Sequence, residues 1–153
     1  MRLALFQPDI PQNLGAAIRL AACLDVALEV VEPCGFPLSD RAIRTAALDY
    51  GNQAKVLRHV SWEAFVAHPA RSEGRLVLLT TKAAQPYTDY SFSSGDTLMF
   101  GRESAGAPDE VHLRADARLL IPIRGRSLNV INAAAMALGE ALRQVNAFPS
   151  GGD

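Results

Sequence analysis

Lysine is almost missing from this chain. Of 15 basic residues, only Lys55 and Lys82 are lysines and the other 13 are arginines. The net charge is −1 and the pI about 6.3. That balance argues against a protein that coats nucleic acid by bulk charge. Arginine is the better fork for phosphate and carboxylate, so a local arginine patch fits the neutral total. A GC-rich genome would produce the same bias.

Cysteine is scarce too. Cys23 falls in an apolar helical pattern and Cys34 follows Pro33. They form no CxxC pair, and no Cys/His cluster has the spacing of a zinc site. Both are expected to be buried thiols, and a disulfide is not expected in a reducing compartment. His59, His68 and His112 are scattered, and no metal site is expected. No apolar run reaches the ~18 residues of a membrane span. The opening MRLALFQPDIPQN is interrupted by Pro8 and Pro11, too early for a secretory signal. A cytoplasmic location without membrane association is the expectation.

Several motifs are missing as well. There is no GxGxxG for a dinucleotide. Gly101-x-x-x-x-Gly106 has half the spacing of a P-loop, but Ala107-Pro108 stands where Lys-Ser/Thr belongs. Ser104 has no GxSxG elbow around it.

What is present is an ordinary globular composition, 49% hydrophobic and 20% charged, in 153 residues. That predicts one domain over residues 1–148 and a frayed tail over 149–153. Strands are predicted at 2–6, 27–32, 54–60, 75–81, 97–101 and 117–123. Between them fall helical patterns. The first begins at Asn13, read as an N-cap, with Leu14, Ala17, Ile18, Ala21 and Leu24 at helical spacing. Ser39 or Asp40 can cap a second helix through about Leu48, Ser61 caps a third, and Pro108 opens a fourth. The last runs from Asn129 to about Asn146. Residues 82–96 read as a polar loop.

Alternating strands and helices predict an α/β fold, a mostly parallel sheet with helices on both faces. Ligands of such sheets bind beyond the carboxyl ends of the strands. The polar and glycine-rich stretches fall there, at 79–82, 101–108 and 122–129.

Three of the constellations carry chemistry. In NLGAAIR, Arg19 leans toward the turn holding Gly15, and its guanidinium is expected near Asn13, where a helix start favours an anion. A plain cap and a solvated arginine would read the same. In LMFGRESAGAP, Gly101 ends an apolar strand and lets a ligand approach the backbone. Glu103 there can pair with an arginine or accept from a hydroxyl; an exposed loop pair is the bland alternative. In IPIRGRSLNVINAAAMAL, Arg124 and Arg126 flank Gly125, and Ser127, Leu128 and Asn129 enter a helix so apolar that burial nearly all round is expected. Its alanines suit close packing, including against a second subunit, and Asn132 would need a partner. Trp62 and Phe65 read as core. Tyr87, Tyr90 and Phe92 read as packing, with base stacking as the alternative.

Taken in order, N-x-G-x-x-x-R, F-G-x-E-x-x-G and I-P-I…S-L-N resemble the three motifs of the SpoU family, in the SPOUT class of RNA ribose 2′-O-methyltransferases. The match runs from Phe6 to about Gln144. PDIPQNLGAAIRL, VEPCGFPLSD, ALDY, LLTTKA and LMFGRESAG are similar to the TrmL type within it, the tRNA (cytidine/uridine-34-2′-O)-methyltransferases. The chain reads Arg-Glu-Ser-Ala after Gly101 where some relatives read Pro-Glu-Thr-Arg, so no role carries over to Arg102 or Ala105.

The resemblance implies a C-terminal trefoil knot, S-adenosylmethionine as cofactor, no metal, the anticodon stem-loop of tRNA as partner and a homodimer with the site at its interface. It assigns catalysis to Arg19, with Asn13, Glu103, Ser127 and Asn129, and expects Glu103 to orient Arg19. Leu79, Gly101, Ile121, Ser127 and Leu128 would line the cofactor pocket. Lys82, Arg124 and Arg126 would grip the tRNA backbone. A guanidinium rarely gives up its proton, so Arg19 is expected to stabilise an oxyanion rather than act as a base. Methylation at another tRNA or rRNA position, or a catalytically silent RNA-binding module, are the alternatives.

Overall fold

The computed structural model describes residues 1–47, 50 and 54–151. Its strands are β1 (Arg2–Phe6), β2 (Ala27–Val31), β3 (Val56–His59), β4 (Leu76–Leu79), β5 (Gln85–Pro86), β6 (Thr97–Phe100) and β7 (Ala117–Leu120). Its helices are α1 (Pro11–Cys23), α2 (Asp40–Ala47), α3 (Trp62–Ala67), α4 (Asp109–Arg114) and α5 (Val130–Gln144). The strands form one parallel sheet in the order β3-β2-β1-β6-β4-β7-β5. The predicted α/β class therefore holds.

Strand alternation sorts the core into two layers. Leu3, Leu5, Val77, Leu79, Leu98 and Phe100 face α1 and α5. Ala4, Phe6, Leu76, Leu78 and Met99 face α3 and α4. Every residue of β4 and β6 is buried, as expected of strands covered on both sides. A fully buried Leu or Phe of this kind contributes roughly 1.5–3 kcal/mol.

Several expectations change. β5 lies inside the stretch read as a polar loop. It is two residues long and pairs with β7 at the sheet edge, where a proline is tolerated. α1 starts at Pro11 with Ile10 as its cap, so Asn13 is not the cap but a buried residue of the first turn. Ser39 makes the capping bond of α2, its Oγ accepting from the Ala42 N–H at 3.0 Å. Leu48, the expected end of that helix, lies outside the described residues, as does part of ALDY. Cys23 is exposed and Cys34 half-buried, because the apolar face of α1 turns away from Cys23. α5 is buried on one face only, through Ala134, Ala137, Leu138, Ala141 and Leu142. Asn132, Ala135 and Met136 are exposed, so solvent can satisfy Asn132. Ser61 caps α3 as predicted, Trp62 and Phe65 are core, and Tyr90 packs edge-on against Phe92.

Glu29 was not foreseen. It is buried in the middle of β2, with His59 Nε2 2.6 Å from Oε2, Arg71 Nη2 2.5 Å from Oε1 and Arg2 Nε 3.7 Å from Oε1. The Arg71 guanidinium lies 3.9 Å from the centre of the Phe65 ring. This charged knot ties the segment after α3 to the sheet on the α3 face. Burial holds the His59 imidazole below its ordinary value of 6.5, against the pull of Glu29, with His68 and Arg71 adding to the fall.

Gly101 is required by packing. A Cβ there would stand 2.3 Å from Ala107 N and 2.5 Å from Gly106 C. Its missing side chain makes room for the chain's own turn rather than for a ligand alone.

Two outcomes follow for stability. Folding lowers the proton affinity of His59, so as pH falls through about 6.5 the unfolded chain takes up the proton more readily and stability falls. Urea midpoints should drop from about pH 7.5 to about pH 5.5, and less steeply in His59→Gln. Gly101→Ala should cost about 2 kcal/mol by overpacking, read as a lower urea midpoint; an unchanged midpoint would refute the close approach.

Candidate active site

β6 enters the sheet after β4 yet lies between β4 and β1. That brings the carboxyl ends of β1, β6, β4 and β7 together. Above them is a cavity of about 430 Å³. Of the residues expected to hold a cofactor, Leu79, Gly101, Ile121, Ser127 and Leu128 all line it. So do Asn13, Glu103 and Asn129.

The polar wall is one hydrogen-bonded line. Asn129 Nδ2 donates to Asn13 Oδ1 at 3.1 Å, and Asn13 Nδ2 donates to Glu103 Oε1 at 3.1 Å. Glu103 Oε2 accepts from the main-chain N–H of Asp9 at 2.9 Å. Asn129 Oδ1 also accepts from the N–H groups of Ile131 (2.8 Å) and Asn132 (3.4 Å), so it caps α5 while joining the line. The sequence put asparagine at both places because an amide donates and accepts at once.

Arg19 is elsewhere. It is exposed on α1, its guanidinium 5.6 Å from the centre of the Tyr50 ring, and it is not among the cavity residues. The expected Glu103–Arg19 pair is absent among the described residues: Glu103 accepts from Asp9 and Asn13, while the Arg19 guanidinium lies over Tyr50. The reach of Arg19 toward Asn13 is not seen either, because Asn13 turns inward to Glu103 while Arg19 turns out to Tyr50. Lys82, Arg124 and Arg126 are exposed on loops flanking the cavity without lining it. Gly125 there takes φ 113°, open to glycine but not readily to other residues.

Sequence reasoning missed Asp9 and Gln7, and it gave Arg102 no role. Asp9 Oδ2 accepts from Ser104 Oγ, while Oδ1 is buried without a partner among the described residues. Hydrogen bonding with Glu103, then with Ser104, holds the Asp9 carboxyl below its ordinary range. The Pro-Asp-Ile-Pro run ahead of α1 was its one signal. Cys34 lies beside this segment, where the Gly35 N–H meets Pro8 O at 3.0 Å. Burial pushes its thiol up to about 11, with Glu32 adding to the rise, so it is no nucleophile at neutral pH.

The arrangement offers a nucleoside-sized pocket with main-chain groups on one side and oriented amides on the other. No helix among the described residues is long and apolar enough to cross a membrane.

Known proteins match this chain closely. It is 59% identical over 148 residues to a tRNA (cytidine(34)-2′-O)-methyltransferase of Beijerinckia indica, covering 95% of this chain and 92% of that one. A solved structure giving structural insights into the 2-OH methylation of C/U34 on tRNA superposes with a TM-score of 0.83 at 39% identity, over 94% of each chain. The SpoU methyltransferase AviRb of Streptomyces viridochromogenes, crystallised with AdoMet, gives 0.80 at 26% identity, over 94% of this chain and 60% of that one. The model of the SpoU rRNA Methylase family matches residues 1–139, and the chain belongs to that family.

Proposed function

We propose that this chain transfers a methyl group from S-adenosylmethionine to the ribose 2′-hydroxyl of tRNA nucleotide 34, a cytidine or modified uridine. The observation that carries this reading is the line Asn129–Asn13–Glu103 along one cavity, in a chain similar over almost its whole length to a protein named for that reaction. The anticodon stem-loop as partner, a cytoplasmic location and one domain over residues 1–148 belong to the same reading.

The cavity fits the cofactor. Its volume falls within the roughly 300–1,000 Å³ of small-molecule sites. Leu79, Gly101 and Ile121 offer main-chain groups at strand ends, and with Ser127 and Leu128 they would hold it. When bound, S-adenosylmethionine supplies a methyl group already activated on a sulfonium. The chain must align the 2′-hydroxyl with it and stabilise the oxygen as its proton passes to solvent water. Asn13 and Asn129 would hold the ribose, with Glu103 fixing the Asn13 amide. Arg19 would stabilise the developing oxyanion. Lys82, Arg124 and Arg126 would meet the tRNA backbone.

Arg19 stands outside its own chain's cavity. A homodimer with the site at its interface is therefore part of the reading, since an interface at the cavity mouth would bring an Arg19 guanidinium to it. Half-exposed Ile10 and Leu128 at the cavity, and Met136 on the open face of α5, support such an interface. The C-terminal trefoil knot also belongs to the reading, supported by the late entry of β6 between β1 and β4 and by β7 beyond β4.

Deletion of the gene should remove the 2′-O-methyl group from tRNA position 34, mapped by mass spectrometry. An unchanged position 34 with loss elsewhere would transfer the reading to another tRNA or rRNA site. Calorimetry should detect S-adenosylmethionine binding; its absence would favour a silent binding module. Arg19→Ala should lower turnover at least ~100-fold, as for lost oxyanion donors, with cofactor affinity nearly unchanged. Loss of cofactor affinity instead would remove Arg19 from the reaction centre.

A further inference from the structure

Arg102 is a half-buried cation at the cavity that the proposed chemistry leaves without a task. It opens a tight turn closed by Arg102 N–Gly106 O at 3.2 Å and Gly106 N–Arg102 O at 2.9 Å. Its side chain is held on two sides. The guanidinium carbon lies 5.1 Å from the centre of the Phe6 ring. Gln7 Oε1 accepts from Nε at 3.1 Å and also from Nη2. Gln7 takes φ 45°, a left-handed conformation that costs a non-glycine residue free energy. The support is thus built at some cost.

None of these partners is charged. Among the described residues Arg2, Arg58, Arg71, Arg75 and Arg143 each meet a carboxylate within 4.0 Å, and Arg102 meets none. A fixed, partly desolvated and uncompensated guanidinium favours an oxyanion. Gln7 takes Nε and Nη2, which leaves Nη1 to donate.

The sheet order says from which side that oxyanion comes. Gly101 ends β6, between β1 on one side and β4 and β7 on the other. Leu79 and Ile121, proposed for the cofactor, lie at the ends of β4 and β7. Phe6 and Gln7 lie at the end of β1, so the Arg102 guanidinium sits across Gly101 from that wall. We propose that Arg102 binds a backbone phosphate of the tRNA beside the nucleotide being methylated. The inference rests on the cavity being the tRNA methylation site.

The test is tRNA affinity across a salt series for wild type, Arg102→Ala, Arg102→Gln and Arg102→Lys, with calorimetric affinity for S-adenosylhomocysteine alongside. Thermal unfolding identifies the variants that fold. Removing the charge should weaken tRNA binding about tenfold. It should also flatten the slope of log K against log salt by about 0.7–0.9. Cofactor-product affinity should stay unchanged, and Arg102→Lys should recover the slope. An unchanged slope in a folded Arg102→Ala or Arg102→Gln protein overturns the inference alone. A fall in S-adenosylhomocysteine affinity with an unchanged slope also overturns it, assigning the guanidinium to the cofactor's carboxylate. A wild-type chain that binds no tRNA overturns both this inference and the function it rests on.

Discussion

Both oxygens of Glu103 are occupied by the protein itself. One accepts the main-chain N–H of Asp9 and the other the amide of Asn13, whose own oxygen holds Asn129. Three stretches distant in sequence meet through this carboxylate: the loop after β1 with the first turn of α1, the turn after β6 and the start of α5. Each bond to a charged group contributes roughly 1.5–3 kcal/mol. Its larger effect is on shape. It fixes which way each amide points, and so where the cavity wall presents a donor and where an acceptor.

The cavity depends on that wall and on the strand order beneath it. Were β6 at an edge of the sheet, the 101–107 turn would not face the ends of β4 and β7. Because β6 is central and apolar on both faces, its end is held firmly. Gly101 then lets the following turn fold back against the strand end. The rigidity of the α3 face has a separate source, the buried Glu29 with His59 and Arg71. That group lies away from the cavity and bears on stability.

The near-neutral total hides an uneven charge distribution. Many arginines are spent on carboxylates within the fold, as Arg58 is on Glu32 and Asp40, and Arg75 on Asp96. Others near the cavity end of the sheet, Arg102, Arg124 and Arg126, have no carboxylate partner among the described residues. A total charge of −1 therefore conceals a local surplus of fork-shaped cations.

Local pattern was enough for much of this. Apolar runs identified β4 and β6, Ser61 and Asn129 announced their helices, and the ordered motifs pointed to one site. These features are legible because periodicity and capping involve residues a few positions apart. Sequence missed what depends on distant partners: the burial of Glu29, the short β5 beside β7, the open face of α5, the exposure of Cys23 and the distance of Arg19 from Glu103. Asn13 shows the division most clearly. Its type and position suited a cap, and only the arrival of β6 beside β1 gave it a carboxylate to face. The sequence by itself determined most of the strands and helices, β5 apart, and which residue types would line the cavity. Tertiary structure alone decided which of those residues touch, because a side chain's partner is set by strand order, and strand order is a property of the whole chain.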